Sequence, residues 1–172
     1  MQRLETLRRV DCLHVVLFQP EIPPNTGNIG RVCWATNSPL HLIRPLGFDI
    51  DAKAVRRAGL DYWDELELAV WDSFDQLLEA LISVRGKSAA KAVHYFTTKA
   101  TRSHWEATYR LGDCLVFGPE SRGLPESLIR ANAAQAVKIP MNNGRSLNLA
   151  TSAGIGLYEG LRQLAHQPSE NG

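Results

Sequence analysis

Three stretches of this chain place polar and charged residues directly after an apolar run, at a point where a strand would give way to a helix. The first is 25–31, Asn-Thr-Gly-Asn-Ile-Gly-Arg; the second is 115–124, Leu-Val-Phe-Gly-Pro-Glu-Ser-Arg-Gly-Leu; the third is 139–150, Ile-Pro-Met-Asn-Asn-Gly-Arg-Ser-Leu-Asn-Leu-Ala. Pro140 lacks an amide hydrogen, so a strand ending at Ile139 stops there. Ser146 has the side chain of a helix N-cap. Loops of this kind lie at the carboxyl ends of sheet strands, where open α/β folds bind ligands. Arg31 is the charged donor of the first stretch, three residues after Asn28 and so on the same helix face. A surface arginine alone is more often solvated than functional. Glu120 and Arg122 stand in the second loop, and Arg145 and Asn148 in the third. No GxGxxG follows the first apolar run and no GxxxxGK[ST] occurs, so there is no sign of a pyrophosphate cradle.

The elements that would position these loops follow from apolar patterning. Residues 13–19, 40–44, 68–71, 92–97, 114–117 and 136–139 are short apolar runs and read as strands. Asn25 or Thr26 can cap a helix carrying Ile29, Val32, Cys33 and Ala35. Ser73 caps a second, whose Phe74, Leu77, Leu78, Leu81 and Ile82 share one face. Asp51 caps a short basic helix closed by Gly59. A helix starts near residues 125–127, and the longest helix runs over about 147–165. Strands alternating with helices predict an α/β fold, a mostly parallel sheet covered by helices on both faces. Residues 1–12 read as a loosely attached N-terminal extension, 13–167 as the domain and 168–172 as a polar tail. Gly156 and Gly160 in the last helix permit close approach, either of the chain's own sheet or of a second copy.

Composition bounds the classes. A chain of 172 residues with 44% hydrophobic and 22% charged content is one globular domain. No apolar run approaches the roughly 20 residues of a membrane span. The N-terminus is not a secretory signal, so the cytoplasm is expected. Cys12, Cys33 and Cys114 are widely separated, and neither they nor the five histidines have metal-ligand spacing; no metal is expected. A net charge of +1 leaves room only for a local basic patch. Lys53, Arg56 and Arg57, followed by Tyr62 and Trp63, suit a single-stranded RNA loop, or equally form a solvated helix face.

The three loops, in this order, resemble the motifs of the SPOUT superfamily of RNA methyltransferases, most closely its TrmL-like tRNA ribose 2'-O-methyltransferases, over about residues 14–166. The resemblance implies a C-terminal trefoil knot, S-adenosyl-L-methionine as cofactor, tRNA as substrate and a homodimer. It implies that Phe96, Gly118, Ile139 and Ser146, with Met141, contact the cofactor largely through backbone atoms. Leu147 would close over the adenine, and Glu120 and Asn148 would support the loops. Arg31 with Asn28 would form the catalytic pair. A guanidinium stays protonated below about pH 12, so Arg31 suits stabilising a developing alkoxide or gripping a phosphate better than removing a proton. Arg122 and Arg145 are candidates for phosphate contact, and Tyr158 for a place near the cross-subunit site. The shortness of the chain favours the wobble nucleotide of leucine tRNA, position 34, cytidine or modified uridine. The alternatives are 2'-O-methylation of another tRNA or rRNA nucleotide, and an RNA-binding protein without catalysis. A nucleotide-dependent dehydrogenase is disfavoured by the missing glycine fingerprint.

Overall fold

The computed structural model describes residues 2–50 and 62–166. In chain order these form α1 (Gln2–Arg8), β1 (His14–Phe18), α2 (Pro23–Ala35), β2 (Leu40–Ile43), β3 (Leu68–Trp71), α3 (Phe74–Arg85), β4 (Val93–Phe96), β5 (Cys114–Phe117), α4 (Glu126–Ala131), β6 (Ala136–Val137) and α5 (Leu149–Ala165). The six strands make one sheet in the order β3-β2-β1-β5-β4-β6, and every pair is parallel. The expected α/β architecture is therefore the observed one.

Alternate strand residues feed two cores, as the period-two pleat requires. Val16, Ile43, Trp71, Tyr95 and Val116 pack with Leu7, Phe74, Leu77 and Leu81 under α1 and α3. Val15, Leu17, Leu42, Phe96 and Phe117 pack with Ile29, Cys33, Ala153 and Leu157 under α2 and α5. Sheets buried on both faces read as continuous apolar runs, which is why the strands are visible in the sequence. Ser73 caps α3 by accepting from the Gln76 N–H, as its position predicts. All three cysteines are buried, and burial pushes the Cys12 thiol up to about 11 and that of Cys114 to about 12. They act as small apolar core residues.

Beyond β6 the chain is held on both sides by one continuous segment. The Thr97 N–H donates to the Val137 carbonyl, the Lys138 N–H donates to Arg102, and the His104 N–H donates to Lys138. Residues 137–138 thus lie between residue 97 on one side and residues 102–104 on the other before the chain turns back into α5.

Three expectations are corrected. α2 starts at Pro23, with Ile22 at the N-cap position and no side-chain cap, because prolines occupy its first two positions. Asn25 and Thr26 therefore lie inside the first turn. α5 is capped by Asn148, not Ser146: the Asn148 side chain accepts from the Ala150 and Thr151 N–H groups. The N-terminal segment is not loose. Leu7 is fully buried, and the Arg85 guanidinium donates to the carbonyls of Leu7, Arg9 and Gly112. Of the two readings open for Gly156 and Gly160, the close approach is to the chain's own sheet, since a Cβ would stand 2.8 Å from Phe96 and 2.6 Å from Leu13 respectively. The basic helix expected over 52–58 and the tail at 168–172 lie outside the described residues.

Candidate active site

β1 and β5 are neighbours at the point where the strand order reverses, and β4 and β6 lie beside them. At such a switch point the loops diverge and leave a crevice at the carboxyl ends of the strands. The crevice here is a cavity of about 440 Å³. Its lining includes Phe96, Gly118, Glu120, Ile139, Met141, Ser146, Leu147 and Asn148, so all eight residues expected to meet a cofactor share one pocket.

The loops are tied together by six side chains. The Glu120 carboxylate accepts from the Glu21 N–H at 2.8 Å, the Ile22 N–H at 3.0 Å and the Asn25 side-chain amide at 3.2 Å. In return, Glu21 accepts from the Ser121 N–H at 2.9 Å, the Ser121 hydroxyl at 2.7 Å and Arg122 at 3.0 Å. The Ser121 hydroxyl, then its N–H, holds the Glu21 carboxyl below its ordinary range. The Asn148 side-chain amide donates to Asn25 Oδ1 at 3.0 Å, while its own Oδ1 caps α5. The first and second loops thus clasp each other through two glutamates, and Asn25 links both to the third. Charge-assisted hydrogen bonds of this kind are roughly twice as strong as neutral ones.

Gly118 permits the tightest turn of the site. A Cβ there would stand 2.3 Å from the Leu124 nitrogen and 2.4 Å from the Gly123 carbonyl carbon. Gly123 has φ +70°, which lets the loop fold back on Gly118. Phe96 and Phe117 stack with centroids 4.6 Å apart behind the cavity.

The other expected site residues distribute differently. Asn28 and Arg31 lie on the exposed face of α2 and are not part of the cavity lining. Asn25, one turn earlier, is 7% exposed and lines it. Of the two asparagines of the first turns, Asn25 faces the cavity, while Asn28 shares the exposed side of α2 with Arg31. Arg122 lines the cavity and is paired with Glu21. Arg145 is exposed in the third loop, and Tyr158 is 57% exposed on α5. Lys53, Arg56 and Arg57 lie outside the described residues. Glu21 and Asn25 were missed as loop ties because nothing in their spacing shows which backbone they face. The histidines serve structure: His94 pairs with Asp113 at 2.7 Å, and His14 bonds His41 at 3.0 Å in the core.

The model of the SpoU rRNA Methylase family matches residues 12–158. This chain belongs to that family. With family membership comes the knotted SPOUT fold, as expected from the loop motifs. The tRNA (cytidine(34)-2'-O)-methyltransferase of Aeromonas hydrophila is 46% identical over 159 residues, covering 91% of this chain and 97% of that one. The enzyme of the same name from Photorhabdus asymbiotica is 45% identical over 156 residues, covering 90% and 95%. A solved structure described as giving insight into 2-OH methylation of C/U34 on tRNA has a TM-score of 0.81 at 46% identity, covering 91% of this chain and 99% of that one. The SpoU methyltransferase AviRb from Streptomyces viridochromogenes, solved in complex with AdoMet, has a TM-score of 0.75 at 26% identity, covering 93% and 60%. No helix among the described residues is long and apolar enough to cross a membrane.

Proposed function

We propose that this chain is a tRNA (cytidine(34)-2'-O)-methyltransferase, transferring a methyl group from S-adenosyl-L-methionine to the ribose 2'-OH of the wobble nucleotide of leucine tRNA. The observation that carries the reading is the joining of three loops around one cavity by Glu120, Glu21, Asn25 and Asn148, in a chain some 45% identical to enzymes of that name.

The residues present fit the cofactor. A cavity of about 440 Å³ lies within the range of small-molecule sites, and its wall combines apolar Ile139, Leu147 and Leu149 with polar Ser146 and the backbone of three loops. Phe96, Gly118, Ile139, Met141, Ser146 and Leu147 would hold it, with Glu120 and Asn148 fixing the loops they belong to. When bound, S-adenosyl-L-methionine supplies an electrophilic methyl group. The chain must then align the sugar hydroxyl and stabilise the negative charge growing on its oxygen. Arg31 stands about 9 Å along α2 from Asn25 and presents a permanent positive charge on the exposed side. It steadies the alkoxide or the adjoining phosphate of an RNA strand laid across the cavity mouth. Arg122, Arg145, Lys53, Arg56 and Arg57 neutralise further phosphates. The chain acts in the cytoplasm as a homodimer. Ile155 and Tyr158, 37% and 57% exposed and three residues apart on α5, supply an apolar strip for the second copy.

Mapping 2'-O-methyl groups in tRNA from cells lacking this protein tests the proposal. Loss at position 34 of leucine tRNA alone is expected. A position 34 that stays methylated, with loss at another nucleotide, would move the substrate elsewhere.

A further inference from the structure

Arg31 is a long side chain on an exposed helix face, and such a side chain samples many rotamers unless something holds it. In this structure its guanidinium lies over the ring of Tyr62, with Cζ 5.4 Å from the centroid. The Tyr62 ring is itself fixed. Its hydroxyl donates to the Gly27 carbonyl, one turn before Arg31 on α2, and the residue is 3% exposed. Trp34, three residues after Arg31 on the same helix, stacks on it with centroids 5.7 Å apart and planes at 29°. The Trp34 indole N–H donates to Glu65 at 3.0 Å. Residues 62–66 can press this closely on α2 because Gly30 has no side chain: a Cβ there would meet Trp63 at 2.9 Å.

An aromatic face holds a cation differently from a carboxylate. The ring quadrupole attracts the guanidinium and restrains its direction, yet adds no negative charge. The field available to a developing oxyanion or a phosphate is therefore kept. A glutamate in place of Tyr62 would anchor Arg31 equally well and cancel much of that field.

We propose that Tyr62 is a positioning residue for Arg31: its ring, fixed by Gly27 and Trp34, orients the guanidinium for methyl transfer. The proposal rests on the role given to Arg31 above. The test compares Tyr62→Leu, Tyr62→Phe and Trp34→Leu, each alone and with Arg31→Ala, by kcat and by KM for S-adenosyl-L-methionine and for tRNA. Tyr62→Leu is expected to lower kcat roughly tenfold with KM for the cofactor unchanged. Tyr62→Phe, which keeps the ring, stays within about threefold of the parent. With Arg31→Ala already present, Tyr62→Leu brings no further loss. Losses that multiply instead would show that Tyr62 acts apart from Arg31 and would overturn the proposal while leaving Arg31 its role. Full activity of Arg31→Ala would remove both. Should Tyr62→Leu fail to fold, the half-exposed Trp34→Leu decides: a several-fold lower kcat that vanishes beside Arg31→Ala is expected, and an unchanged kcat overturns the proposal.

Discussion

Replacing Gly118 by alanine tests whether the second loop shapes the cofactor cavity. The new Cβ would stand 2.3 Å from the Leu124 nitrogen and 2.4 Å from the Gly123 carbonyl carbon, both main-chain atoms that no rotamer change can remove. Ordinary contact needs 3.4 Å or more, so the loop must retreat by about 1 Å. Glu120 travels with it, and its contacts of 2.8, 3.0 and 3.2 Å to Glu21, Ile22 and Asn25 are already full-length hydrogen bonds. Stretching them by that distance takes them beyond bonding range. Overpacking costs about 1–3 kcal/mol, a fall in Tm of about 2–12 °C for a chain of this size. If a comparable part of that strain is expressed on binding, affinity for S-adenosyl-L-methionine falls at least about fivefold. Calorimetric titration with the cofactor and a thermal melt measure the two effects. Gly154→Ala serves as the control, because nothing lies within 4 Å of its Cβ position; it should bind normally and melt no lower. A Gly118→Ala protein with parental affinity and Tm would refute the reasoning.

Asn148→Ala removes the α5 cap and the tie to Asn25; a destabilisation of about 1–2 kcal/mol in urea and weaker cofactor binding are expected, and unchanged binding would show that the third loop needs no such tie. Arg85→Leu takes a donor from three carbonyls, of which that of Arg9 keeps the His14 ring nitrogen, and should cost about 2–4 kcal/mol, seen as faster hydrogen exchange of α1 amides, whereas protected amides would contradict the anchoring. Burial pushes the His14 pKa from 6.5 down to about 4. Below pH 6.5 the unfolded chain takes a proton that the folded chain refuses. Stability is therefore complete above that pH and falls by about 3 kcal/mol as the pH drops towards 4. His41, also depressed by burial, acts in the same direction. Urea unfolding at pH 7.5 and pH 4.5 measures the loss, and equal stabilities would refute it.

The legibility of this chain varied with how local each determinant is. The strands read directly because every residue of β1's first four, and all of β2, β4 and β5, is buried, leaving runs such as His14–Phe18 and Cys114–Phe117. The eight cavity residues could be named from the resemblance of the loops to the SPOUT motifs, not from any periodicity of their own. Caps were less legible: Ser146 and Asn148 are both good capping residues two positions apart, and only the bonds to Ala150 and Thr151 choose between them. Asn25 and Asn28 are the same residue type within one turn, and which of them faces Glu120 depends on where Pro23 starts the helix. The reciprocal tie of Glu21 and Glu120 joins residues 99 apart, and no periodicity carries that information. The burial of Leu7 likewise depends on α3 and β3, far along the chain.

The central claim is methyl transfer to one ribose hydroxyl, and the most direct measurement uses the purified chain, radiolabelled S-adenosyl-L-methionine and two forms of leucine tRNA. With a ribose at position 34, label should enter the RNA and be recovered in the 2'-O-methylated nucleoside from that position. With a 2'-deoxyribose there, no label should enter. Equal labelling of both forms, or none of the first, would contradict the account.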